Sequence, residues 1–290
     1  MKLAYLGTPA LAVPPLRALH EAGHEVVLVV SGADKRRGRG GATSPSPVKA
    51  AALELGIPVS ADPEDVIGAG ADLGVVVAFG RIIRPHQLEA LSMVNLHFSL
   101  LPRWRGAAPV ERAILAGDDR TGVCVMEVAE GLDTGDVYAV ESLEIGATET
   151  ADELRGRLVV AGTGLLVDTL AEGLTHRTPQ SAEGVTYAEK LTPADLELRW
   201  DAPAEVVLRT VRVGGAWTTW RGARLKVHAA RVTEVEGGGG RTAGMFLDSV
   251  TVACSSGALT LEVVQPEGKA RMDAAAWANG ARPTGDRLGP

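Results

Sequence analysis

Apolar positions fall into two regimes along the chain. In the first, short runs of consecutive apolar residues alternate with stretches where they recur every three or four positions. Leu3 to Leu6 reads as a buried strand ended by Gly7-Thr8-Pro9, and Ala10 to Leu19 as a helix stopped at Gly23. Glu25 to Val30 reads as a second strand, Pro47 to Leu55 as a helix ending at Gly56, and Leu73 to Ala78 and Met93 to His97 as two more strands. Such alternation implies right-handed crossovers and a mostly parallel sheet covered on both faces, so the expected class is α/β. After Thr121 the pattern becomes Val123 to Val128 and Val137 to Leu143 around a short glycine-containing connection, and then a long helix from about Thr150 to Glu172. The second regime follows a polar stretch from Thr175 to Pro203. There Leu225 to Val232, Ser249 to Cys254 and Leu259 to Val264 alternate with period two between glycine-rich turns such as Gly237 to Gly240, which favours a small β-barrel. The expected division is a domain over 1–175, a linker over 176–203 and a barrel domain over 204–290.

Composition adds bounds to this picture. With 290 residues, 46% of them apolar and 22% charged, the chain can bury the core of one or two domains. Its apolar runs fall far short of the roughly 20 residues that a membrane-spanning helix needs, and Gly7-Thr8-Pro9 interrupts any signal-peptide core. The expectation is a soluble, untargeted protein that binds no membrane. Cys124 and Cys254 each sit in a strand-like apolar run, as buried free thiols of a reducing compartment do, so a cytoplasmic location is expected. The net charge of −7 argues against a nucleic-acid partner only until it is divided. Residues 1–204 carry 18 basic and 28 acidic side chains, and residues 205–290 carry 11 and 8. Val206 to Val232 holds Arg209, Arg212, Arg221, Arg224, Lys226 and Arg231 with no acidic residue, interleaved with Trp217 and Trp220. This stretch is a candidate phosphate-contacting surface, its alternative being an ordinary solvated face.

Three motifs match known chemistry and fail on physical grounds. His20-Glu21-Ala22-Gly23-His24 has the zinc-protease spacing, but Gly23 caps the helix and His24 starts the next strand, so the two imidazoles diverge. Asp133-Thr134-Gly135 matches the aspartic-protease triplet, and no second triplet exists to share its proton. Gly7-Thr8-Pro9-Ala10 lacks the three-glycine spacing of a dinucleotide site.

A fourth constellation survives. In Val94-Asn95-Leu96-His97-Phe98, strand alternation places Asn95 and His97 on one face and the apolar residues on the other. Both polar residues lie at the C-terminal end of an expected parallel strand, where open α/β sheets place their ligand crevice. Asp133 follows in Gly131-Leu132-Asp133-Thr134-Gly135-Asp136, a turn whose glycines allow close approach by a ligand. An amide donor, an imidazole and a carboxylate suit acyl transfer without a metal. A buried Asn and His that merely satisfy each other is the simpler alternative.

Several stretches together resemble the methionyl-tRNA formyltransferases. They are Asn95-Leu96-His97, Ser99-Leu100-Leu101-Pro102-Arg103-Trp104-Arg105-Gly106-Ala107-Ala108-Pro109, Thr121-Gly122-Val123 and Gly131 to Asp136. The agreement extends to Gly7-Thr8-Pro9, Pro45-Ser46-Pro47-Val48-Lys49, Thr186-Tyr187-Ala188-Glu189-Lys190-Leu191 and Gln265-Pro266-Glu267-Gly268-Lys269, and so covers nearly the whole chain. The resemblance implies a Rossmann-like formyltransferase domain followed by an OB-like β-barrel. It implies transfer of the formyl group of 10-formyltetrahydrofolate to the amino group of methionyl initiator tRNA. Carried over, the catalytic residues are Asn95, His97 and Asp133, and the folate pocket involves Phe79, Arg81, Ile82 and Ile83 with Ser99, Leu100, Leu101 and Pro102. A break at Gly80 beside the His97 strand independently supplies apolar walls and backbone groups for a flat heterocycle.

The same family recognises the tRNA acceptor end with a loop after the second strand. Here that loop runs from Ser31 to Ser44 and carries Lys35, Arg36, Arg37 and Arg39 among glycines. With Arg209, Arg212, Arg221, Arg224 and Lys226 it makes the expected tRNA-binding set. Three departures stand out: Gly41-Ala42 where the family usually shows lysines, Phe98 in place of a small residue, and Val213-Gly214-Gly215-Ala216-Trp217 in place of an Asn-Pro stretch. A monomer is expected. The rival readings are a formyltransferase for an amino sugar nucleotide, which should lack the basic loop and basic barrel, and a non-catalytic RNA-binding protein, which leaves the three catalytic residues unexplained.

Overall fold

The computed structural model describes residues 1–36, 43–235 and 242–289. It separates into two compact units: Met1–Val110, Arg120–Glu144 and Leu154–Glu189 form the first, and Glu111–Asp119, Ile145–Glu153 and Lys190–Pro290 the second. Among the described residues, no helix is long and apolar enough to cross a membrane.

In chain order the first part reads β1 (Lys2–Gly7), α1 (Val13–Glu21), β2 (Glu25–Val30), β3 (Lys35–Arg36), β4 (Thr43–Ser44), α2 (Pro47–Glu54), β5 (Val59–Ser60), β6 (Leu73–Val77), α3 (Pro85–Ala90) and β7 (Met93–His97). It continues with β8 (Arg105–Gly106), α4 (Pro109–Ala116), β9 (Arg120–Glu127), β10 (Val137–Glu144), α5 (Ala151–Ala171) and β11 (Tyr187–Ala188). The main sheet has the order β10-β9-β7-β6-β1-β2-β5, parallel from β5 to β7, with β9 and β10 antiparallel at one edge. β6 is buried at all five positions because helices cover both faces of a parallel sheet, which is why its sequence is continuously apolar. From β5 the chain returns past β2 to place β6 on the far side of β1, so the strand order reverses between β1 and β6. Ligand crevices of open α/β sheets lie beyond the strand ends at such a reversal.

Local chemistry explains the helix limits. Ser46 caps α2 by accepting the Lys49 N–H at 3.1 Å, and Pro47 follows at the first helical position. α1 ends at Glu21 and the chain turns through Gly23 at φ +85°, so His20 and His24 fall on different elements.

The second unit carries α6 (Ala204–Val213), β12 (Trp217–Trp220), β13 (Ala223–Thr233), β14 (Thr251–Ala253), β15 (Ala258–Pro266), β16 (Met272–Asp273) and α7 (Ala274–Ala281). Its strands form an antiparallel sheet of order β12-β13-β15-β14, with β16 on β15. Register shifts on either side of Ala229 bend the β13–β15 ladder. The sequence pattern predicts a barrel; the structure shows a curled antiparallel sheet, in which, among the described residues, β12 and β14 are linked by isolated bridges, Trp220 to Leu288, Met245 to Arg287 and Phe246 to Val252, rather than by a ladder. Its inner face packs Leu225, Val227, Leu259, Leu261 and Val264 against Val207 and Val211 of α6 and Trp277 of α7. Both cysteines are free and buried.

Candidate active site

The site is built on β7. Asn95 pairs with Val76 of β6 and Met126 of β9, and His97 with Cys124 of β9. A Cβ at Gly162 of α5 would stand 3.2 Å from the Leu96 side chain, so α5 closes on the apolar face of β7 and leaves Asn95 and His97 to the other. Asp133 reaches them from the connection between β9 and β10. The nearest Asp133 oxygens lie 3.5 Å from Asn95 Nδ2 and 3.6 Å from His97 Nδ1. His97 is 5% exposed, so these polar groups meet largely out of water, where charge interactions are strong.

Backbone groups complete the arrangement. His97 Nε2 lies 3.0 Å from the Trp104 carbonyl, which can only accept, so Nε2 carries a proton and donates. The Gly106 N–H donates to Asp133 Oδ2 at 2.7 Å. The turn that carries Asp133 is tight: a Cβ at Gly135 would stand 2.0 Å from the Glu127 carbonyl oxygen, which requires glycine there. Ala78 (φ +46°), Trp104 (φ +65°) and Asp133 (φ +50°) all hold the left-handed backbone that side chains disfavour. Each costs on the order of 1 kcal/mol, a form of strain that clusters at functional sites.

Residues 99–106 form a fixed loop beside this group. Ser99 is fully buried and donates its hydroxyl to the Arg103 carbonyl at 2.6 Å, while the Cys124 thiol donates to the Ser99 carbonyl. Burial pushes that thiol up to about 11, so it stays protonated. Leu100 packs against Gly122, where a Cβ would stand 2.5 Å from it. The Trp104 N–H donates to Thr186 Oγ1 at 2.8 Å, and β8 pairs in parallel with β11. Gln180 donates to the carbonyls of Asp133 and Gly135, both at 2.8 Å, and accepts from Arg105 at 2.7 and 3.1 Å. Part of the stretch read from the sequence as linker thus helps to build the site.

The remaining expected folate residues are spread in environment. Phe79 is buried in an apolar cluster with Leu6, Val76 and Met93, and Ile83 packs against that cluster. Ile82 is 86% exposed, an unusual state for isoleucine beside a crevice. Arg81 donates to the Ala61 carbonyl at 2.7 Å. Leu100, Leu101 and Pro102 are half-buried.

Of the basic residues, Arg37 and Arg39 lie outside the described residues, and Lys35 and Arg36 form β3, paired with β4. Arg209 donates to the Ala116 carbonyl at 3.5 Å; Arg212 donates to the carbonyls of Glu149 at 2.8 Å and Gly146 at 2.7 Å. Arg221 pairs with Asp286 at 2.9 Å and lies over the Trp220 ring. Arg224 lies over Trp217. Arg224 and Lys226 are exposed and alternate with the buried Leu225 and Val227, so they share the outer face of β13.

Comparison with known proteins places this chain in a family. The formyl transferase family pattern matches residues 1–170, and the formyl transferase C-terminal domain pattern matches residues 190–282. A methionyl-tRNA formyltransferase of Symbiobacterium thermophilum is 46% identical over 97% of this chain and 92% of its own length. The chain belongs to the methionyl-tRNA formyltransferase family. Two solved structures share its fold. HypX from Aquifex aeolicus, in complex with tetrahydrofolic acid, superimposes with a TM-score of 0.66 at 18% identity over 96% of this chain and 46% of that longer one. An N-formyltransferase from Helicobacter canadensis, in complex with folinic acid and dTDP-3-aminofucose, superimposes with a TM-score of 0.70 at 16% identity, covering 90% and 99% of the two chains. In this formyltransferase, sequence reasoning missed the Gly106 N–H, the Trp104 carbonyl and Gln180. Two of these act through the backbone and the third sits in a polar stretch without periodicity, so no pattern announced them.

Proposed function

We infer that this protein transfers the formyl group of 10-formyltetrahydrofolate to the amino group of methionyl initiator tRNA. The observation that carries the reading is the meeting of Asn95, His97 and Asp133 at the C-terminal end of β7, in a chain whose whole length follows the family. The neutral methionine amine attacks the formyl carbon and forms the new C–N bond. The carbonyl oxygen becomes an oxyanion, which the Asn95 amide stabilises together with the His97 Nε2–H, drawn from the Trp104 carbonyl when substrate binds. Asp133 supports the imidazole and accepts the amine proton, directly or through one water. The bond from the formyl carbon to folate nitrogen N10 then breaks, and N10 leaves as tetrahydrofolate with the proton that Asp133 took from the amine and returns to it. The 3.5 and 3.6 Å separations are loose for hydrogen bonds, as catalytic contacts often are before substrate draws them together.

The pteridine side of the donor is held by Phe79, Arg81, Ile82 and Ile83 with the Ser99 to Pro102 loop; the exposed Ile82 supports this, since a flat heterocycle would cover it. For tRNA the outer face of β13, with Arg224 and Lys226, and the loop bearing Lys35, Arg36, Arg37 and Arg39 supply phosphate contacts, and Arg221 is a further contact. Arg209 and Arg212 add positive field while tied to carbonyls. A catalytic domain over 1–175, a connecting segment over 176–203 and an RNA-facing OB-like barrel over 204–290 is the division we propose, and the bent β13–β15 ladder supports curling of the sheet. The enzyme acts as a monomer in the cytoplasm, a setting that suits its two free thiols.

Incubation with 10-formyltetrahydrofolate and charged methionyl initiator tRNA tests the reading, with uncharged tRNA and an amino sugar nucleotide as controls. Formyl-methionyl-tRNA is the expected product. Formylation of the sugar nucleotide alone would overturn the assignment.

A further inference from the structure

We propose that Gln180 is a positioning residue for Asp133, acting through a closed loop of hydrogen bonds around the reacting carboxylate. Gln180 Nε2 donates to the carbonyl of Asp133 and to that of Gly135, two acceptors on one turn. Its Oε1 takes both Nε and a terminal nitrogen of Arg105. Carbonyls only accept and a guanidinium only donates, so the amide has a single orientation that satisfies all three partners. Arg105 directly precedes Gly106, whose N–H donates to Asp133 Oδ2. The circuit therefore runs from the carboxylate to Gly106, along the chain to Arg105, across to Gln180, and back to the Asp133 carbonyl.

This circuit acts where the backbone resists. Asp133 is held at φ +50°, a left-handed conformation that is strained for a residue with a side chain and that contacts from its neighbours stabilise. On one side the turn is pressed against β9, since Gly135 has no room for a Cβ before the Glu127 carbonyl. On the other side, Gln180 ties both turn carbonyls to the loop that bears Gly106. Without it the turn loses two donors, and the carboxylate drifts from its place 3.6 Å from His97 Nδ1. A displacement of about 1 Å at a reacting group costs as much as 10²-fold in rate.

The proposal rests on the reading of Asp133 as the group that takes the amine proton. Its test is a double-mutant cycle on the full-length enzyme, measured by single-turnover formylation of methionyl initiator tRNA with enzyme in excess. The variants are Gln180→Ala, Gln180→Glu, Asp133→Asn and each Gln180 variant combined with Asp133→Asn. Gln180→Glu keeps the volume and the Arg105 partner but offers the two carbonyls no donor, so it carries the cycle if Gln180→Ala folds poorly. Either Gln180 variant should lower the rate constant by about 10- to 100-fold, with KM for folate and tRNA changed by less than about threefold. On the Asp133→Asn background the same substitutions should cost less than about threefold, because a positioning residue has nothing left to position. A purely structural role predicts equal losses on both backgrounds, and that result overturns the proposal. So do Gln180 variants within threefold of wild type while Asp133→Asn is impaired. Full activity in Asp133→Asn would overturn the reading of Asp133 itself, and the proposal with it.

Discussion

The surroundings of His97 and the basic stretch from Val206 to Val232 use their polar side chains in opposite ways. At β7, two side chains of one strand and a third from the connection between β9 and β10 converge on one small volume, and the protein leaves their contacts to one another loose, at 3.5 and 3.6 Å. Along α6 and β13, by contrast, cations adjacent in sequence are separated in role. Arg212 is committed to two backbone carbonyls and Arg221 to Asp286, whereas Arg224 and Lys226 stand on an outer strand face. The difference teaches that density of charge along a chain does not measure the charge offered to a partner. Part of it completes the fold, because buried or half-buried carbonyls need donors and arginine reaches several at once.

The comparison can be broken most sharply at β7. His97→Ala and Asp133→Asn should each lower kcat by at least about 10²-fold, and Asn95→Ala, which removes the oxyanion donor we propose, by about 10²- to 10³-fold. Thermal unfolding should move little, and equilibrium dialysis should still detect folate binding. Activity within threefold of wild type in any of these variants removes that residue from the mechanism.

Next in size is Arg212. Replacing it with alanine strips the Gly146 and Glu149 carbonyls of a charged donor, and should destabilise the protein by about 1–3 kcal/mol in denaturant titration. If Arg212→Ala instead left stability unchanged and weakened tRNA binding, its place among structural residues would be wrong.

Arg224 and Lys226 should behave in the reverse manner. The double alanine variant should keep its stability to within about 0.5 kcal/mol, raise KM for methionyl-tRNA, and flatten the logarithmic salt dependence by up to about 2 units. An unchanged salt slope would mark the outer face of β13 as merely solvated.

The smallest effect is expected at Asp195, whose carboxylate accepts from the Thr192 N–H and pairs with Arg112 at 2.8 Å. The Thr192 backbone contact, then Arg112 and the Thr192 hydroxyl, hold its carboxyl down at about 2, below the ordinary value of about 3.9. A depressed carboxyl contributes stability above the unfolded value and loses it as pH falls through the folded one. Asp195→Asn should therefore cost about 0.5–1 kcal/mol at pH 7, a gap that closes as pH falls from about 4 towards 2. A gap that stayed constant over that range would show that the charge contributes nothing.

Much of this molecule was legible before any coordinates. The β2 limits at Glu25 and Val30 and the β7 limits at Met93 and His97 follow from apolar runs and glycine stops, since burial in a parallel sheet demands continuous hydrophobicity. Asn95 and His97 were legible as a pair because a strand has a side-chain period of two. Short helices such as α3 and α4 left weaker marks, each starting at a proline without a long amphipathic repeat.

What the sequence alone determined is therefore the main strands of the first sheet, helices α1, α2 and α5, the α/β class and the polar face of β7, all of which follow from local periodicity. Tertiary structure alone decided which distant groups meet that face. The Gly106 N–H, the Trp104 carbonyl and the Gln180 amide join Asp133 and His97 from separations of up to 47 residues. It also decided which arginines are already engaged, because hydrogen bonds to backbone carbonyls depend on where the chain folds back and leave no trace in residue type or spacing.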